Sequence, residues 1–348
     1  MPRAKIVRVG PPPSTLHEIA TAAAVSLSTV SKVLNSRPGV APATRERVEQ
    51  TLRDRGYKKR GTTQTYMREI DLMFGALDGA WAIEVIRGVV GVARENLMTV
   101  NLIEGHHRYS FEPVWIEGAL KREPAGVIFI ASDLPPKYKD QLRTRNIPFV
   151  FLDPAGNPAP DIPAIGSANW AGGTLATRHL IELGHRRIGM IAGAEEMMSV
   201  QARVAGFRFA MESAGLPIDE DLIVHGPSRE SVDEAGSELG TRLLSMPVGK
   251  RPTAIFALSD IKALGAYEAA RALGLSVPDD VSIVGYDDLQ FARWAGPPLT
   301  TVRQPLKEMG EEAARLVIRL RQDNTPERPV RLELSTSLVL RSSTARLE

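Results

Sequence analysis

The stretch from Thr15 to Tyr57 reads TLHEIATAAAVSLSTVSKVLNSRPGVAPATRERVEQTLRDRGY and decides the fold of the first part of the chain. Three short apolar stripes in it have the spacing that places side chains on one face of a helix. They are Leu16, Ile19, Ala20 and Ala23, then Leu27, Val30, Val33 and Leu34, then Val48 and Leu52 behind Pro42. The pattern predicts three short helices separated by tight breaks, in the layout of a helix-turn-helix, whose second helix enters the major groove of DNA.

The second predicted helix carries a dense polar face. If Val30, Val33 and Leu34 pack against the first helix, the remaining side chains are free to contact a groove or phosphates. Those side chains are Leu27, Ser28, Thr29, Ser31 and Lys32. The alternative is an ordinary three-helix bundle with a polar surface. That alternative explains the stripes but not the charge around them.

Charge is distributed unevenly between the two parts of the chain. Residues 1–61 contain twelve Lys and Arg against four Asp and Glu, a net charge of +8, and residues 62–348 carry −6. A small basic unit attached to a large acidic one favours a polyanionic partner for the first part. A solvated basic face is the alternative interpretation of the charge alone.

The segment 15–57 resembles, without a gap, the N-terminal domain of the lactose-repressor (LacI-type) family of bacterial transcription regulators. The resemblance implies that Leu27, Ser28 and Lys32 read base edges. It implies phosphate-holding or bracing roles for Ser26, Thr29, Ser31, Asn35 and Tyr57. One departure is Ala24, where the family's turn commonly has Gly. Alanine is compatible with that turn if its φ is negative.

The segment after Tyr57 departs further from the family. The resemblance implies x-Pro-Asn and a hinge helix with a leucine wedge here, but the chain reads KKRGTTQTY over 58–66. Gly61 and the threonines are poor helix formers, so this hinge is atypical. We expect Lys58 and Arg60 to grip phosphates and Tyr66 to stand where the wedge would be, either intercalating or packing on the core.

From Ile70 onward, short β-rich runs alternate with helical stretches. The predicted strands are Ile70–Phe74, Val100–Ile103, Gly126–Ile130, Phe149–Leu152, Arg187–Ala192, Leu222–Val224, Ala254–Leu258 and Ser282–Gly285. The predicted helices include Ala82–Glu95, Ala171–Leu183, Gln201–Ala214, Ser231–Ser245, Ile261–Leu273 and Lys307–Arg321. Strands and helices in this order predict parallel sheets covered on both faces. The predicted fold class is a small all-α helix-turn-helix domain plus an α/β core of two doubly wound parallel-sheet subdomains, similar to periplasmic binding proteins.

At 348 residues, the chain is long enough for several domains. We expect a disordered tail over 1–14, the helix-turn-helix domain over 15–60 and a hinge or linker over 61–69. The N-terminal core subdomain is expected over 70–166 plus about 304–326, and the C-terminal core subdomain over 167–303 plus about 327–345.

Paired doubly wound subdomains bind ligands in the cleft between them, at the carboxyl ends of their strands. The candidate residues that follow strands or start helices there are Asp78, Trp81, Ser132, Asp133, Asp153, Arg203, Asp260 and Asp287. A ligand rich in hydroxyl groups needs acceptors such as Asp, a forked donor such as Arg and an aromatic face. A turn-forming role is an equal alternative for Asp153, and a turn-capping role is an alternative for Asp280 and Asp288.

The family resemblance continues through most of the core. Its motifs include NWAGGTLATRHLIELGHRRIGMIAG from Asn169, ARVAGFRFAMESAGL from Ala202, AIFALSD from Ala254, VSIVGYDDL from Val281 and PPLTTVRQP from Pro297. By resemblance, Arg203, Asp260 and Asp287 match effector contacts, Trp81 an aromatic contact and Asn169 a cleft-edge position. The stretch with Trp294 resembles a subgroup tied to plant-polysaccharide sugars such as xylo-oligosaccharides. His179 and His185 are expected to be structural.

Several function classes are disfavoured. The chain has no cysteine, so thiolate metal sites, iron–sulfur clusters and disulfides are excluded, and neither a metal nor a cofactor is expected. Nucleotide-binding glycine motifs are absent. An enzyme using Asp287 and Asp288 lacks a nucleophile–base pair, and a secreted sugar-binding protein lacks a signal peptide. We expect a cytoplasmic, nucleoid-associated repressor that binds a near-palindromic operator and a sugar or oligosaccharide effector, forms a homodimer and does not engage a membrane.

Overall fold

The computed structural model describes residues 15–35, 37–55, 57, 69–75, 77, 79–105, 113–130, 134–154, 156–226, 232–323 and 329–347. The expected tail over 1–14 lies outside these residues, and so do residues 61–68 of the hinge expected over 61–69, whose last residue, Glu69, begins the first strand. Among the described residues, no helix combines the length and the apolar composition that crossing a membrane requires.

Three helices form the first domain: α1 (Leu16–Ala22), α2 (Leu27–Leu34) and α3 (Pro42–Asp54). Helix α1 begins with a capping box, because Thr15 Oγ1 accepts from the Glu18 amide while Glu18 Oε2 accepts from the Thr15 amide. The buried side chains are eight members of the predicted apolar stripes and one aromatic ring, whereas Leu16 is half-buried and Leu27 is exposed. The buried residues are Ile19, Ala20, Ala23, Val30, Val33, Leu34, Val48, Leu52 and Tyr57.

The turn between α1 and α2 differs from the sequence expectation. Ala24 has φ +51°, in the left-handed region, rather than a negative φ. A side chain there is strained, which gives the physical reason for the family's preference for Gly. The turn is nevertheless hydrogen-bonded, with the Val25 amide donating to the Ala20 carbonyl at 3.0 Å.

Replacing Ala24 with Gly is therefore expected to raise the free energy of unfolding of the first domain by about 0.5–1 kcal/mol. Glycine adopts positive φ without steric strain, and this gain exceeds the added entropy of its unfolded state. Chemical denaturation followed by circular dichroism measures the change. The matched control is Ala22→Gly inside α1, which should destabilise instead. Stabilisation by both changes, or by neither, would contradict the strain at Ala24.

The first core sheet is entirely parallel. Its strands are β1 (Glu69–Phe74), β2 (Thr99–Glu104), β3 (Gly126–Ile130), β4 (Phe149–Leu152), β5 (Ala164–Ser167) and β11 (Arg331–Leu334), in the order β11-β5-β4-β3-β1-β2. Helices α4 (Gly79–Glu95) and α11 (Leu306–Asp323) cover one face. Helices α5 (Pro113–Arg122) and α6 (Pro136–Thr144) cover the other. Buried aliphatic strands between two helical layers are what a parallel sheet requires.

The second core sheet has the order β12-β10-β9-β8-β6-β7. Its strands are β6 (Ile188–Ala192), β7 (Ile223–His225), β8 (Ala254–Ala257), β9 (Ser282–Asp287), β10 (Thr300–Arg303) and β12 (Ser337–Val339). Only β12, which pairs with β10, runs antiparallel in the described ladders. The helices α7 (Asn169–Glu182) and α8 (Met198–Ser213) pack on one face, and α9 (Val232–Leu244) and α10 (Asp260–Ala272) on the other.

The chain passes between the two sheets three times, after β5, after β10 and after β11. The last crossover corrects an expectation. The segment about 327–345 was assigned as a whole to the C-terminal subdomain, but β11 pairs with β5 in the first sheet, Arg331 opposite Ala164. The run Arg331–Leu340 reads as one β region, and the sequence does not reveal that the chain changes sheets between Leu334 and Ser337.

Candidate nucleic-acid interface and ligand cleft

Helix α2 presents the predicted reading face to solvent. Leu27 is 48% exposed, and Ser28 and Lys32 are also exposed. Ser26 caps the helix, because its Oγ accepts from the Thr29 amide at 3.2 Å. The same oxygen lies 2.8 Å from the hydroxyl oxygens of Ser28 and Thr29. The helix N-terminus therefore carries a cluster of hydroxyl groups and free amide donors, which suits contact with phosphates and base edges.

The other residues expected to contact DNA divide into three groups. Tyr57 is buried in the core of the first domain, so its ring braces α1–α3. Asn35 and Ser31 are half-buried, and Asn35 Nδ2 donates to Ser31 Oγ at 3.3 Å near the end of α2. Lys58, Arg60 and Tyr66 lie outside the described residues.

Lys32 is expected to contribute to recognition of one particular base pair. Replacing it with Ala should weaken binding to the preferred duplex by about 1–3 kcal/mol, the value of a side-chain contact to a base edge. Competition titrations against single-base variants of that duplex measure the effect at fixed salt. Equal losses on every sequence would contradict base reading and assign Lys32 to a phosphate.

The candidate ligand cleft lies at the carboxyl ends of the two sheets. Asp153 follows β4, and Asp287 ends β9. Both have positive φ, +46° and +112°, a strained backbone of the kind that concentrates at functional sites. The guanidinium of Arg203, from α8, interacts electrostatically with both carboxyl groups.

Arg203 is held by groups of the second subdomain. Its Nε donates to Asn169 Oδ1 at 2.8 Å, and its Nη1 donates to the Leu258 carbonyl at 2.6 Å. The guanidinium lies over the Tyr286 ring at 3.7 Å from the centroid. Burial raises the pKa of Tyr286 to about 12, so its hydroxyl is protonated at neutral pH. These contacts fix the guanidinium beside the cleft before any ligand arrives.

Asp260 has a different environment from the one expected of a ligand contact. It is fully buried, and its oxygens accept from the Leu289 amide at 2.7 Å and from Thr301 Oγ1 at 2.5 Å. Burial raises its pKa well above the usual range, and the neighbouring Asp287 raises it further. In this structure Asp260 braces the loop after β9, and its direct contact with a ligand stays a prediction.

The electrostatics of the cleft favour proton uptake by carboxyl groups. Burial raises the pKa of Asp287 to about 6, against the opposing effects of Arg203 and a hydrogen bond from Gln304. Burial also raises the pKa of Asp153, and Arg203 lowers it. A ligand that donates hydroxyl hydrogens to these oxygens would favour their charged forms.

Two polar side chains that the sequence pattern did not identify complete the candidate cleft. Gln304, between β10 and α11, donates from Nε2 to Asp287 Oδ1 at 2.5 Å and accepts from Ser167 Oγ at 2.7 Å. Both Gln304 and Ser167 lie at crossovers between the sheets. They therefore connect Asp287, a predicted ligand contact, to the segments about which the subdomains would rotate. The chain position directly after a strand was the available signal, since Gln304 follows β10.

The other residues predicted to contact a ligand do not join the group formed by Asp153, Arg203 and Asp287. Trp81, in the first turn of α4, is half-buried against the core. Trp294 is 73% exposed on the surface after β9, so it does not line a closed cleft here. Asp78, Ser132 and Asp133 lie outside the described residues. His179 and His185 bond to hydroxyl groups, Thr344 Oγ1 for His179 and Thr253 Oγ1 and Ser282 Oγ for His185.

The neighbouring acid Asp288 is a structural group. Its side chain is 2% exposed and forms ion pairs with Arg303 at 2.7 Å and with Arg341. Asp280 accepts from the Ser276 amide at 2.7 Å and closes a turn, as its alternative interpretation held. Among the described residues, no group of three or more His, Asp and Glu side chains could hold a metal ion.

A three-helix reading domain joined to two doubly wound subdomains around a polar cleft defines the class of ligand-controlled DNA-binding regulators. Residues 15–59 match the model of bacterial regulatory proteins of the lacI family, and residues 177–344 match that of the periplasmic binding protein-like domain. The chain is 32% identical over 340 residues to the transcriptional repressor CytR of Escherichia coli K12, covering 96% of this chain and 97% of CytR. The chain belongs to the lacI family of transcription regulators.

Two solved structures share the whole architecture. The transcriptional regulator CelR in complex with cellobiose is 32% identical, with a TM-score of 0.70 over 95% of this chain and 99% of CelR. The lac repressor dimer bound to operator and the anti-inducer ONPF is 25% identical, with a TM-score of 0.67 over 96% and 99%. The expected fold class and family are confirmed. The chain is a DNA-binding transcriptional regulator and not an enzyme.

Proposed function

We propose that this chain is a cytoplasmic, homodimeric repressor that binds a near-palindromic operator and releases it in response to a sugar or oligosaccharide. The observation that carries the proposal is the combination of an exposed reading face on α2 with the Asp153–Arg203–Asp287 group between the two sheets. Two identical reading helices meet successive major grooves of a two-fold symmetric site.

The chemistry of the cleft supports a ligand rich in hydroxyl groups. Asp153 and Asp287 supply acceptors with raised pKa, and Arg203 supplies a positively charged donor that its bonds to Asn169 and Leu258 hold in place. CelR, which shares this architecture, was solved with cellobiose. A sugar that bridges Asp153 of the first subdomain and Arg203 of the second would stabilise one relative orientation of the subdomains, which is how a small ligand changes an equilibrium.

The test is a thermal-shift screen of the full chain with cellobiose, xylobiose, ribose and their phosphates, followed by titration of DNA with and without any hit. A true effector raises the melting temperature by mass action and changes operator affinity by about 5- to 150-fold. No shift with any member of the panel would remove the sugar assignment. A shift without a change in operator affinity would remove the regulatory role of the ligand.

A further inference from the structure

The first domain contacts helix α6 of the first subdomain through a small set of side chains. From α6, Gln141 Nε2 donates to Glu49 Oε2 of α3 at 3.3 Å. Arg53 Nε of α3 lies 4.0 Å from Asp140 Oδ2. Since Arg53 and Asp140 are partly exposed, their ion pair contributes little to stability. A different residue carries the interface.

That residue is Arg145, at the C-terminal end of α6, which reaches the last turn of the reading helix α2. Its Nε donates to the Leu34 carbonyl and its Nη2 to the Val33 carbonyl, each at 2.9 Å. Carbonyl groups in the last turn of a helix lack an i+4 amide partner and carry the negative end of the helix dipole. A forked cation is well suited to bind them.

Because Arg145 is buried, its contact with α2 must satisfy the hydrogen-bond donors of a charged group. Arg145 is only 6% exposed, although it carries a charge and lies between two domains. Burial lowers its pKa, and Glu49 opposes that effect. A buried guanidinium is tolerated only when its donors are bonded, so the end of α2 must lie where Arg145 can reach it.

The contact leaves the reading face open. Arg145 binds the C-terminal end of α2, whereas Leu27, Ser28 and Lys32 remain exposed. A contact that blocked DNA binding would cover those residues. The docked arrangement is therefore compatible with DNA recognition.

We propose that Arg145 is a positioning residue for operator binding: it fixes the reading helix to the first subdomain through the carbonyl groups of Val33 and Leu34. The role of Arg145 in DNA binding rests on the proposed function, whereas the docking of α2 against α6 rests on geometry alone. Movement of the first subdomain then moves the reading helix directly, without depending on the segment 58–68 for the coupling.

The docking is tested without DNA. The chain contains no cysteine, so Gln50→Cys on α3 and Lys137→Cys on α6, both at exposed positions, place two spin labels in each protomer. Mixing the labelled chain with an excess of the unlabelled cysteine-free chain leaves one labelled protomer in nearly every labelled dimer, so the measured distances lie within one protomer. We expect one narrow distribution of label–label distances, which Arg145→Ala broadens. The matched control is Arg143→Ala on the same helix, whose partner is the exposed Asp161 at 2.6 Å, and which should leave the distribution narrow. A broad distribution in the unaltered chain, or a narrow one in the Arg145 variant, would overturn the docking.

The positioning role is tested on a duplex that the unaltered chain enriches from a random-sequence pool. Arg145→Ala should weaken binding by roughly 5- to 150-fold, the range typical of coupling between sites, while Arg143→Ala leaves it unchanged. Arg145→Lys, which keeps the charge without the fork, should give an intermediate loss and serves if the Ala variant fails to fold. Unchanged affinity alongside a broadened distance distribution would overturn the role. If the unaltered chain enriches no duplex, the proposed function fails, and with it the role of Arg145 in DNA binding. The label–label distances would still test whether Arg145 docks the first domain on α6.

Discussion

Replacing Asp288 with Ala is expected to lower the free energy of unfolding by about 3–5 kcal/mol. Among the described residues, Asp288 is the only carboxylate that pairs with Arg341, whose side chain is 13% exposed. Arg303 pairs with the same carboxylate. Arg341 follows β12, Arg303 ends β10, and Asp288 follows β9, so the three residues join neighbouring strands of the second sheet. The largely buried Arg341 guanidinium would then lack a carboxylate partner and would keep its hydrogen bond to the Leu299 carbonyl.

Chemical denaturation of the full chain measures this loss, and Asp288→Asn is the informative second variant. Asp288 has φ +56°, a conformation that Asn tolerates and that Ala adopts only with strain. The Asn variant therefore isolates the charge from the backbone strain and should lose less than the Ala variant. A change within about 0.5 kcal/mol for both variants, the range of ordinary surface substitutions, would contradict a structural role for Asp288.

The adjacent residue is expected to behave in the opposite way. Replacing Asp287 with Asn should raise the free energy of unfolding at pH 7.5 by about 2–3 kcal/mol, because burial raises the pKa of this carboxyl from 3.8 to about 6 in the folded chain. The same change should abolish the response to ligand, since the variant lacks a charged acceptor facing the cleft. Buried charge at a binding site trades stability for function.

The pH dependence of the free energy of unfolding tests the direction of the Asp287 pKa shift. Between about pH 4 and 6 the folded chain holds a proton on Asp287 that the unfolded chain has released, so stability falls as the pH rises through this window. Above pH 6 the full penalty is present. The Asn variant should show a shallower fall between pH 4 and 6 than the unaltered chain, with the two converging below pH 4. Parallel stability curves for the two proteins would exclude Asp287 as the titrating group.

Much of this architecture could be predicted from local sequence patterns. The stripes of α1–α3 gave the first domain, and the runs Gly126–Ile130 and Phe149–Leu152 coincide with β3 and β4. Buried parallel strands are continuous apolar runs, which periodicity detects well. Short or partly polar elements were not predicted. β5 has four residues at the expected subdomain boundary, β10 is rich in Thr, and α6 begins with proline and carries many charges.

The contacts that depend on distant parts of the chain could not be predicted in the same way. Asp260 and Asp287 stand in the same kind of position, at or near the end of a strand. Only the fold reveals that Thr301 and the Leu289 amide satisfy the first and that Gln304 binds the second. Likewise, the positive φ of Ala24 and the reach of Arg145 to α2 depend on tertiary packing. Residue type and spacing identify candidate site residues, and the hydrogen-bond partners that the fold supplies determine their roles.

The most direct test of the central claim is selection of duplexes from a random-sequence pool by the purified full chain, at fixed salt, with and without the sugars of the screen. Recognition of DNA sequence by α2 predicts enrichment of one near-palindromic sequence, with binding that weakens steeply as salt rises, because phosphate contacts release counterions. A Ser28→Ala or Lys32→Ala chain should enrich a sequence altered at particular base pairs. Equal binding to all duplexes under every condition would contradict recognition of DNA sequence by α2.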